Sequence, residues 1–215
     1  MLQWVYEGAR ACSLLSDVVV ATCDEEIAAA ARSFGAGVAM TSPRHQRATD
    51  RVAEAARGLD TDVVVMVQGD EPMVSAEMIE AAVGPFTDPG VVCTNLSSAI
   101  EVEEDYVDPN TIKLVVDASG NALYFSRSPI PAAARQAFTP GLASRQICVI
   151  GFRAAFLQEY SRLSPTPLEQ EESIDMLRIL EHGRRVRIVP VASTSYPVDT
   201  PADLQRVERL LERAR

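Results

Sequence analysis

The sequence predicts an α/β protein with a doubly wound, mostly parallel sheet that carries a small antiparallel insertion. Residues 17–22 (DVVVAT) and 62–67 (DVVVMV) are almost continuously apolar and β-branched, as strands buried on both faces are. Helical segments alternate with such runs early and late in the chain, whereas residues 90–150 contain successive strands with little helix between them. We therefore expect a single domain over residues 1–215, in which residues 90–150 form a small lobe for substrate binding or dimerisation.

Capping residues and glycines place most of the helices. Asp24 precedes an Ala-rich helix that ends at Gly35, and Ser75 precedes the helix after the second apolar run. Thr200 is expected to cap the last helix, with Asp203 three residues after it. Apolar spacing predicts three further helices, at residues 47–57, over RAAFLQEYSRL and over LEQEESIDMLRILEHG. The last of these is expected to be one continuous helix.

The remaining strands are predicted from short apolar runs between turns. A turn at residues 117–121, where Gly120 and Asn121 can take positive φ, predicts a hairpin between TIKLVVD and ALYFSRS. The other predicted strands are 38–40, VVCTNL, QICVIGF and VRIVPVA. No internal repeat, linker or low-complexity segment interrupts this order.

Composition limits the classes of function. The chain has a formal net charge of −10, which argues against a broad nucleic-acid-binding face. Its four cysteines are widely spaced and it has only two histidines, so we expect reduced thiols in a cytoplasmic protein and no zinc site. The N-terminus lacks the pattern of a secretory signal, and no apolar run approaches the roughly 20 residues of a membrane-spanning helix.

Two aspartates lie where an open parallel sheet binds its ligands, beyond the carboxyl ends of the strands. That rule selects the loop after Thr41, the QGDEP loop at 68–72 and the SYPVDTP loop at 195–201. Asp70 and Asp199 in the latter two loops could share one Mg²⁺, since this ion takes hard oxygen ligands and few protein carboxylates. Such an ion would bridge phosphate oxygens and an attacking oxygen in nucleotidyl transfer. The alternatives are a turn acid for Asp70 and a helix-start acid for Asp199.

Two groups of polar and basic residues could bind anions. The first group, at residues 41–51, would suit the binding of a nucleotide at the start of a helix. The alternative is that it is only a solvated helix start. It contains Arg44, His45, Arg47, Thr49, Asp50 and Arg51. The second could hold a carboxylate or phosphate, or is surface charge on the sheet; it contains residues 110–113, Arg127 and Arg145.

Four segments, in this order, resemble the 3-deoxy-manno-octulosonate (Kdo) cytidylyltransferase family: VMVQGDEPMV, DPNTIKLVVDASGNALYFSRSPIP, TPLEQEESIDMLRILEHG and PVDTPADLQRV. The resemblance extends from residue 1 to about residue 210 and implies a Rossmann-like nucleotidyltransferase fold, usually dimerised through the insertion. It implies Mg²⁺-dependent transfer of CMP from CTP to a small anionic substrate, with release of pyrophosphate. It also implies that Asp70 and Asp199 hold Mg²⁺ in catalysis and that Gln68 lies near the base or the acid. The loop from Arg44 to Arg51 would hold the cytidine part of CTP.

The resemblance implies that Arg127 and Arg145 bind the acceptor. Three segments near them differ from the family's pattern. The family's HQSGT(D/E)R is HQRATDR here, which introduces Arg47. In RQICVIGFR, Gln146 replaces the family's histidine. The family's EQLR is DMLR here, so that Asp175 stands at its first position. A site that has lost hydrogen-bonding partners discriminates poorly for a polyol. The acceptor is therefore expected to be a Kdo-like sugar acid or, alternatively, a small phosphonate such as phosphonoformate, which the charge of Arg47 would suit.

The family opens with a strand and a Gly/Arg/Lys-rich loop that cradles the triphosphate, and this sequence starts at the helix that follows them. Without that central strand, we expect its neighbour DVVVAT to lie at an exposed edge. Without charge clamps worth about 100-fold or more each, we expect catalysis to fall by several orders of magnitude. An inactive, nucleotide-binding relative is therefore a further alternative. A third alternative is a nucleotidyltransferase that uses a sugar 1-phosphate and a nucleotide with another base. The segments VDTPADL and PNTIK argue against it.

Overall fold

The computed structural model describes residues 1–132, 138–192, 195–198 and 200–213, with side chains in the last helix as far as Leu210. The strands in this part of the chain are β1 (Val19–Thr22), β2 (Gly37–Met40), β3 (Val63–Val67), β4 (Cys93–Ala99), β5 (Lys113–Val116), β6 (Ala122–Ser126), β7 (Ser144–Arg153) and β8 (Arg187–Pro190). The helices are α1 (Leu2–Arg10), α2 (Glu25–Ser33), α3 (Ala48–Ala55), α4 (Ala76–Val83), α5 (Glu103–Val107), α6 (Ala154–Tyr160), α7 (Pro167–Glu172), α8 (Asp175–Glu181) and α9 (Pro201–Arg213).

Strand β7 joins most of the strands into one six-stranded sheet. Along one edge it pairs antiparallel with β4, and along the other its first residues pair with β5 and its last five with β3. Strand β8 lies parallel to β4, and the β5–β6 hairpin extends the opposite side. Because β3 and β4 both run antiparallel to β7, strands β3, β4 and β8 point the same way. The predicted α/β class with an antiparallel insertion is confirmed, and the large sheet is mixed, with β4 and β8 as its parallel pair.

Strands β1 and β2 form a separate, two-stranded parallel sheet. In the described part of the chain, no strand pairs with the second edge of β1 or with the second edge of β3. Val19 is 42% exposed, and although β3 is apolar throughout, only Met66 in it is fully buried. The expected exposure of DVVVAT at an edge is thus observed, since a strand with one partner leaves half of its main-chain groups unpaired.

Helices cover both faces of the large sheet, as a doubly wound fold requires. Side chains alternate along β7, so that Val149 enters one apolar cluster and Phe152 the other. The first cluster contains residues of α1 and α4, such as Ile79, and the second contains residues of α3, α6 and α8, such as Leu157 and Leu177. No helix among the described residues is both long and apolar enough to cross a membrane.

The predicted caps account for the helix ends. The Asp24 carboxylate accepts hydrogen bonds from two amides of the first turn of α2, at 2.8 and 3.1 Å, and Ser75 caps α4 at 3.4 Å. Gly35, after α2, has φ of +83°, which glycine adopts without strain. At the start of α9, the Thr200 amide donates to the Asp203 carboxylate at 2.8 Å, and the Asp203 amide donates back to the Thr200 hydroxyl at 3.3 Å.

The prediction of one continuous helix over LEQEESIDMLRILEHG is wrong. Helix α7 ends at Glu172. The next residue, Ser173, has φ of +58°, and α8 begins at Asp175. A left-handed serine is uncommon, and here its Oγ accepts a hydrogen bond of 2.6 Å from Arg47 Nη1. That contact is remote in sequence, so local spacing does not report it. The five-residue helix α5 was also not predicted.

Candidate active site

The QGDEP loop directly follows β3. Pairing of β3 with β7 continues one residue further, where the Gln68 amide donates to the Cys148 carbonyl at 3.2 Å. The chain then turns, and the Glu71 amide donates to the Gln68 carbonyl at 3.2 Å. Asp70 lies half-buried in this turn. The local sequence therefore holds an acid on a short turn at the carboxyl end of a strand, where ligands of parallel sheets bind.

The segment 195–198 contacts this loop at two points. The Val198 amide donates to the Asp70 carbonyl at 2.9 Å, and the Ser195 hydroxyl donates to the Glu71 carboxylate. Asp199, the next residue in sequence, lies outside the described residues, so its pairing with Asp70 stays a prediction. Two of the three loops selected by the strand-end rule are thus joined by hydrogen bonds.

Glu71 ties three parts of the chain together, a role that the sequence did not suggest. Its side chain is almost fully buried, and one carboxylate oxygen accepts a hydrogen bond of 3.0 Å from the Cys148 amide in β7. The other oxygen accepts the hydrogen bond from Ser195. Burial raises the pKa of Glu71, and these two hydrogen bonds act in the opposite direction. The only local signal was its place beside Asp70 in a loop that follows a buried strand.

The donor chemistry at Asp70 fits a magnesium ion. Among residues 1–132, 138–192, 195–198 and 200–213, no group of three or more His, Cys, Asp or Glu side chains is placed to hold a metal. Mg²⁺ does not need such a group, because it keeps several waters and combines one or two carboxylates with phosphate oxygens. A half-buried carboxylate in a strand-end turn offers oxygen ligands of this kind.

The loop between β2 and α3 is held by its own side chains. Arg51 Nη1 donates to Thr41 Oγ1 at 2.6 Å, across the width of the loop. Glu54 accepts a hydrogen bond of 3.0 Å from the Ser42 amide and contacts His45 Nε2. The Ser42 amide first, and His45 second, lower the pKa of Glu54. Arg51 and His45 therefore shape the predicted nucleotide loop, and a direct contact with CTP stays a prediction for both.

The start of α3 lies against the end of β3. Thr49 is fully buried, and its Oγ1 is 3.8 Å from Met66 Sδ. Arg44 lies exposed in the loop before this helix. The third selected loop is thus close to the strand that carries QGDEP.

Four predicted site residues fall into one charged cluster. The amide and hydroxyl of Thr49 both donate to Asp175 Oδ2, at 3.0 and 2.7 Å, and burial raises the pKa of Asp175. Asp50 accepts two hydrogen bonds from Arg178, at 2.9 and 3.1 Å. Arg47 Nε lies 3.8 Å from the Asp175 carboxylate. Residues assigned to CTP on one side and to the acceptor on the other therefore contact one another.

Arg178 and Glu169 complete this cluster and were not predicted as site residues. Arg178 donates to the Glu169 carboxylate at 2.8 and 2.6 Å, and both side chains are almost fully buried. Arg47 donates to the Glu169 carbonyl at 3.1 Å and to Ser173 Oγ at 2.6 Å. The arginine introduced into HQRATDR thus directs donors to groups of α7 and the turn after it.

The residues predicted on the acceptor side also contact protein groups. Arg127 donates to two main-chain carbonyls at 2.7 and 2.9 Å. Arg145 is almost fully buried and donates to the Ser195 carbonyl at 2.7 Å. The side-chain Nε2 of Gln146 donates to Asn95 Oδ1 at 2.5 Å. Their contacts with an acceptor stay predictions, and the structure adds a role for each within the fold.

Lys113 is neither surface charge nor part of an open anion site. Its side chain is fully buried, and Nζ donates to three main-chain carbonyls at 2.7, 2.6 and 2.5 Å. An ammonium group has three donors, so these contacts use all of them within the insertion.

The family model described as cytidylyltransferase matches residues 1–188, most of the chain. The chain belongs to the cytidylyltransferase family. Its predicted class, a nucleotidyltransferase enzyme, is therefore confirmed.

Two bacterial cytidylyltransferases illustrate the similarity in sequence. The chain is 42% identical over 223 residues to the 3-deoxy-manno-octulosonate cytidylyltransferase of Geobacter metallireducens, covering 99% of this chain and 88% of that protein. It is 44% identical over 214 residues to the enzyme of the same name from Solibacter usitatus, covering 99% of this chain and 84% of that protein. The resemblance found in the sequence motifs is thus confirmed.

Two solved structures illustrate the similarity in fold. A structure of CMP:2-keto-3-deoxy-manno-octonic acid synthetase complexed with CTP matches with a TM-score of 0.89 and 35% identity, covering all of this chain and 88% of that one. A 4-diphosphocytidyl-2C-methyl-D-erythritol synthase from Anaerococcus prevotii matches with a TM-score of 0.62 and 12% identity, covering 98% of this chain and 85% of that one. The second similarity concerns the fold alone.

Proposed function

We propose that this cytidylyltransferase transfers CMP from CTP to a Kdo-like sugar acid, with release of pyrophosphate and a requirement for Mg²⁺. Relatives that are 42% and 44% identical over nearly the whole chain are named for this acceptor. A similar solved structure is a complex with CTP.

One hydrogen bond carries the mechanistic part of the proposal, the bond of 2.9 Å from the Val198 amide to the Asp70 carbonyl. It holds the residue that precedes Asp199 against the main chain of Asp70. Two acids that are remote in sequence thus belong to loops in direct contact, which supports a shared cation rather than two separate helix-start or turn acids.

Asp70 and Asp199 would hold Mg²⁺, which neutralises phosphate charge and orients the reacting oxygens when it is bound. The protein carries a net charge of −10, so a triphosphate entering beside two acids needs such neutralisation. Arg44, exposed in the loop before α3, supplies positive charge on the nucleotide side. Asp70 is half-buried, so it combines a restrained main chain with access for a ligand.

The position of Arg47 favours the sugar acid over a phosphonate as acceptor. The case for a compact, highly charged acid was the additional positive charge of this arginine. Its guanidinium donates to Ser173 and to Glu169, and its side chain is 19% exposed. A guanidinium engaged in this way contributes little extra charge to an acceptor.

The test is pyrophosphate release by this chain with CTP, Mg²⁺ and each acid in turn. We expect release with Kdo, none with phosphonoformate, and none when UTP replaces CTP. Release with phosphonoformate but not with Kdo would transfer the assignment to the alternative acceptor. Binding of CTP without release with any acid would refute the enzymatic proposal and leave a nucleotide-binding protein.

A pair of matched variants tests the acid. Asp70→Asn keeps the size of the side chain and removes its charge, and we expect the rate to fall by about 100-fold or more. Asp60→Asn changes an exposed aspartate in the loop after α3 and should keep the wild-type rate. Similar rates for the two variants would contradict a role for Asp70.

A further inference from the structure

The segment before Asp199 is anchored through Ser195, which is 2% exposed. Its hydroxyl donates to Glu71, the neighbour of Asp70, and its carbonyl accepts a hydrogen bond of 2.7 Å from Arg145 Nη2. Arg145 also donates through Nε to Ser98 at 2.9 Å, so its guanidinium is held by β4. A side-chain group and a main-chain group of the same residue are therefore both fixed by buried charged partners.

The next residue, Tyr196, contacts two guanidinium groups. The Cζ atoms of Arg145 and Arg206 lie 4.0 and 3.6 Å from the centre of its ring. Both distances are well within the range of a cation–π contact. Tyr196 is half-buried, so part of the solvent screening that weakens such contacts is removed.

Both arginines are in turn held by one acid. Arg206, on α9, donates to the two carboxylate oxygens of Asp105 at 3.0 and 3.2 Å. Arg145 Nη1 lies 4.0 Å from the same carboxylate. Asp105 belongs to α5, so the insertion, β7 and the last helix all contribute to the surroundings of Tyr196. We call Arg145, Tyr196, Arg206 and Asp105 the tyrosine clamp.

We propose that the tyrosine clamp is a positioning device, which holds residues 195–198 against the QGDEP loop and so supports the binding of Mg²⁺ at Asp70. The clamp and the Ser195 contacts fix residues 195 and 196, and the Val198 amide then reaches the Asp70 carbonyl at 2.9 Å. Tyr196 and Arg206 are thus positioning residues, which act through the metal-binding acids rather than on a substrate. This inference rests on the proposed function for its consequence, but the clamp itself is a property of the protein alone.

The variants for the test are Tyr196→Ala, which removes the ring, and Tyr196→Phe, which keeps a ring face between the arginines. Arg206→Ala removes one side of the clamp at a side chain of α9 that is 37% exposed. Its matched control is Arg184→Ala, since Arg184 also pairs with an acid, Glu159, but on the surface at 2.5 Å.

Two measurements separate positioning from general damage. The first is hydrogen exchange of the Val198 amide without CTP or metal, with the amides of α4 as reference. We expect Tyr196→Ala and Arg206→Ala to speed exchange at Val198 by about tenfold, as loss of cation–π contacts predicts, and to leave α4 unchanged. The second is the Mg²⁺ concentration for half-maximal pyrophosphate release, which should rise by about tenfold or more in these variants, as for other residues that orient metal ligands. Tyr196→Phe and Arg184→Ala should resemble the wild type in both.

The proposal is overturned if Tyr196→Ala and Arg206→Ala leave the Val198 amide as protected as in the wild type. It is equally overturned if they lower turnover without changing the Mg²⁺ requirement, or if Tyr196→Phe behaves like Tyr196→Ala. A wild-type protein that releases no pyrophosphate would refute the proposed function, while the exchange measurement would still decide whether the clamp holds the segment.

Discussion

Replacing Arg178 with methionine should destabilise the protein more than any change of a surface ion pair. The arginine donates four hydrogen bonds, two to Glu169 at 2.8 and 2.6 Å and two to Asp50 at 2.9 and 3.1 Å. Its guanidinium also lies 4.5 Å from the centre of the Tyr160 ring. Methionine fills much of the same volume without a charge, so the variant isolates the loss of the guanidinium from the loss of packing.

The magnitude follows from the burial of the partners. The Glu169 side chain is 1% exposed, and that of Asp50 is 20% exposed. Breaking a buried ion pair from one side leaves an uncompensated charge and costs about 3–5 kcal/mol of the free energy of unfolding. For a domain of this size, each kcal/mol shifts the melting temperature by about 2–4 °C, so a fall of roughly 6–20 °C is expected.

The assay is urea unfolding followed by circular dichroism, with thermal unfolding as a second readout. Arg184→Met is the control, because Arg184 and its partner Glu159 are 53% and 45% exposed and such pairs contribute about 0–1 kcal/mol. Adding Glu169→Gln to Arg178→Met removes the stranded charge and should recover part of the loss. If Arg178→Met costs no more than Arg184→Met, or if Glu169→Gln makes it worse, the cluster is not held together by this buried charge pairing.

Two further predictions concern packing and pH. A Cβ atom added at Gly151 in β7 would lie 2.5 Å from Thr94 Oγ1 and 2.7 Å from the Phe86 ring, so Gly151→Ala should lower the free energy of unfolding by about 1–3 kcal/mol in urea titration. Gly84→Ala should be close to neutral, because a Cβ there would meet no atom of the described residues within 4 Å beyond its own chain neighbours. Equal effects of the two changes would contradict the packing argument. Burial raises the pKa of Asp175, so the folded state binds the carboxyl proton more tightly than the unfolded chain does. The contribution of this group to the free energy of unfolding therefore falls as pH rises from about 4 through the raised pKa. Asp175→Asn should therefore gain stability relative to the wild type as urea titrations move upwards through that window, and a difference that does not vary with pH would contradict it.

Local signals accounted for the elements that end on a cap or a glycine. Asp24, Ser75 and the Thr200–Asp203 pair each hydrogen-bond within a few residues, so the sequence alone contains both partners. The break at Ser173 was missed because it depends on a donor 126 positions away. Apolar spacing on either side of that serine is compatible with one long helix. Only the hydrogen bonds that residues 47–50 make with α7 and α8 distinguish the two arrangements.

The candidate site divides in the same way. The strand-end rule identified the three loops, and the contact between Asp70 and Val198 joins two of them. The strand-end rule could not show that Thr49 and Asp50, which were predicted to bind the nucleotide, form hydrogen bonds with Asp175 and Arg178. Nor could it assign Glu71 or Tyr196, because the partners of both come from separate strands and helices.

By itself, the sequence determined the order and kind of most elements, the family and the acids of the two loops, because these depend on neighbours within a few residues or on motifs of fixed spacing. Only the tertiary structure decided which charges pair with one another, where β7 joins the two parts of the large sheet, and how the chain leading to residue 199 is held. The physical reason is that a buried charge must find a partner wherever the fold brings one near, and for Arg178 and Asp50 that partner lies 128 positions away along the chain.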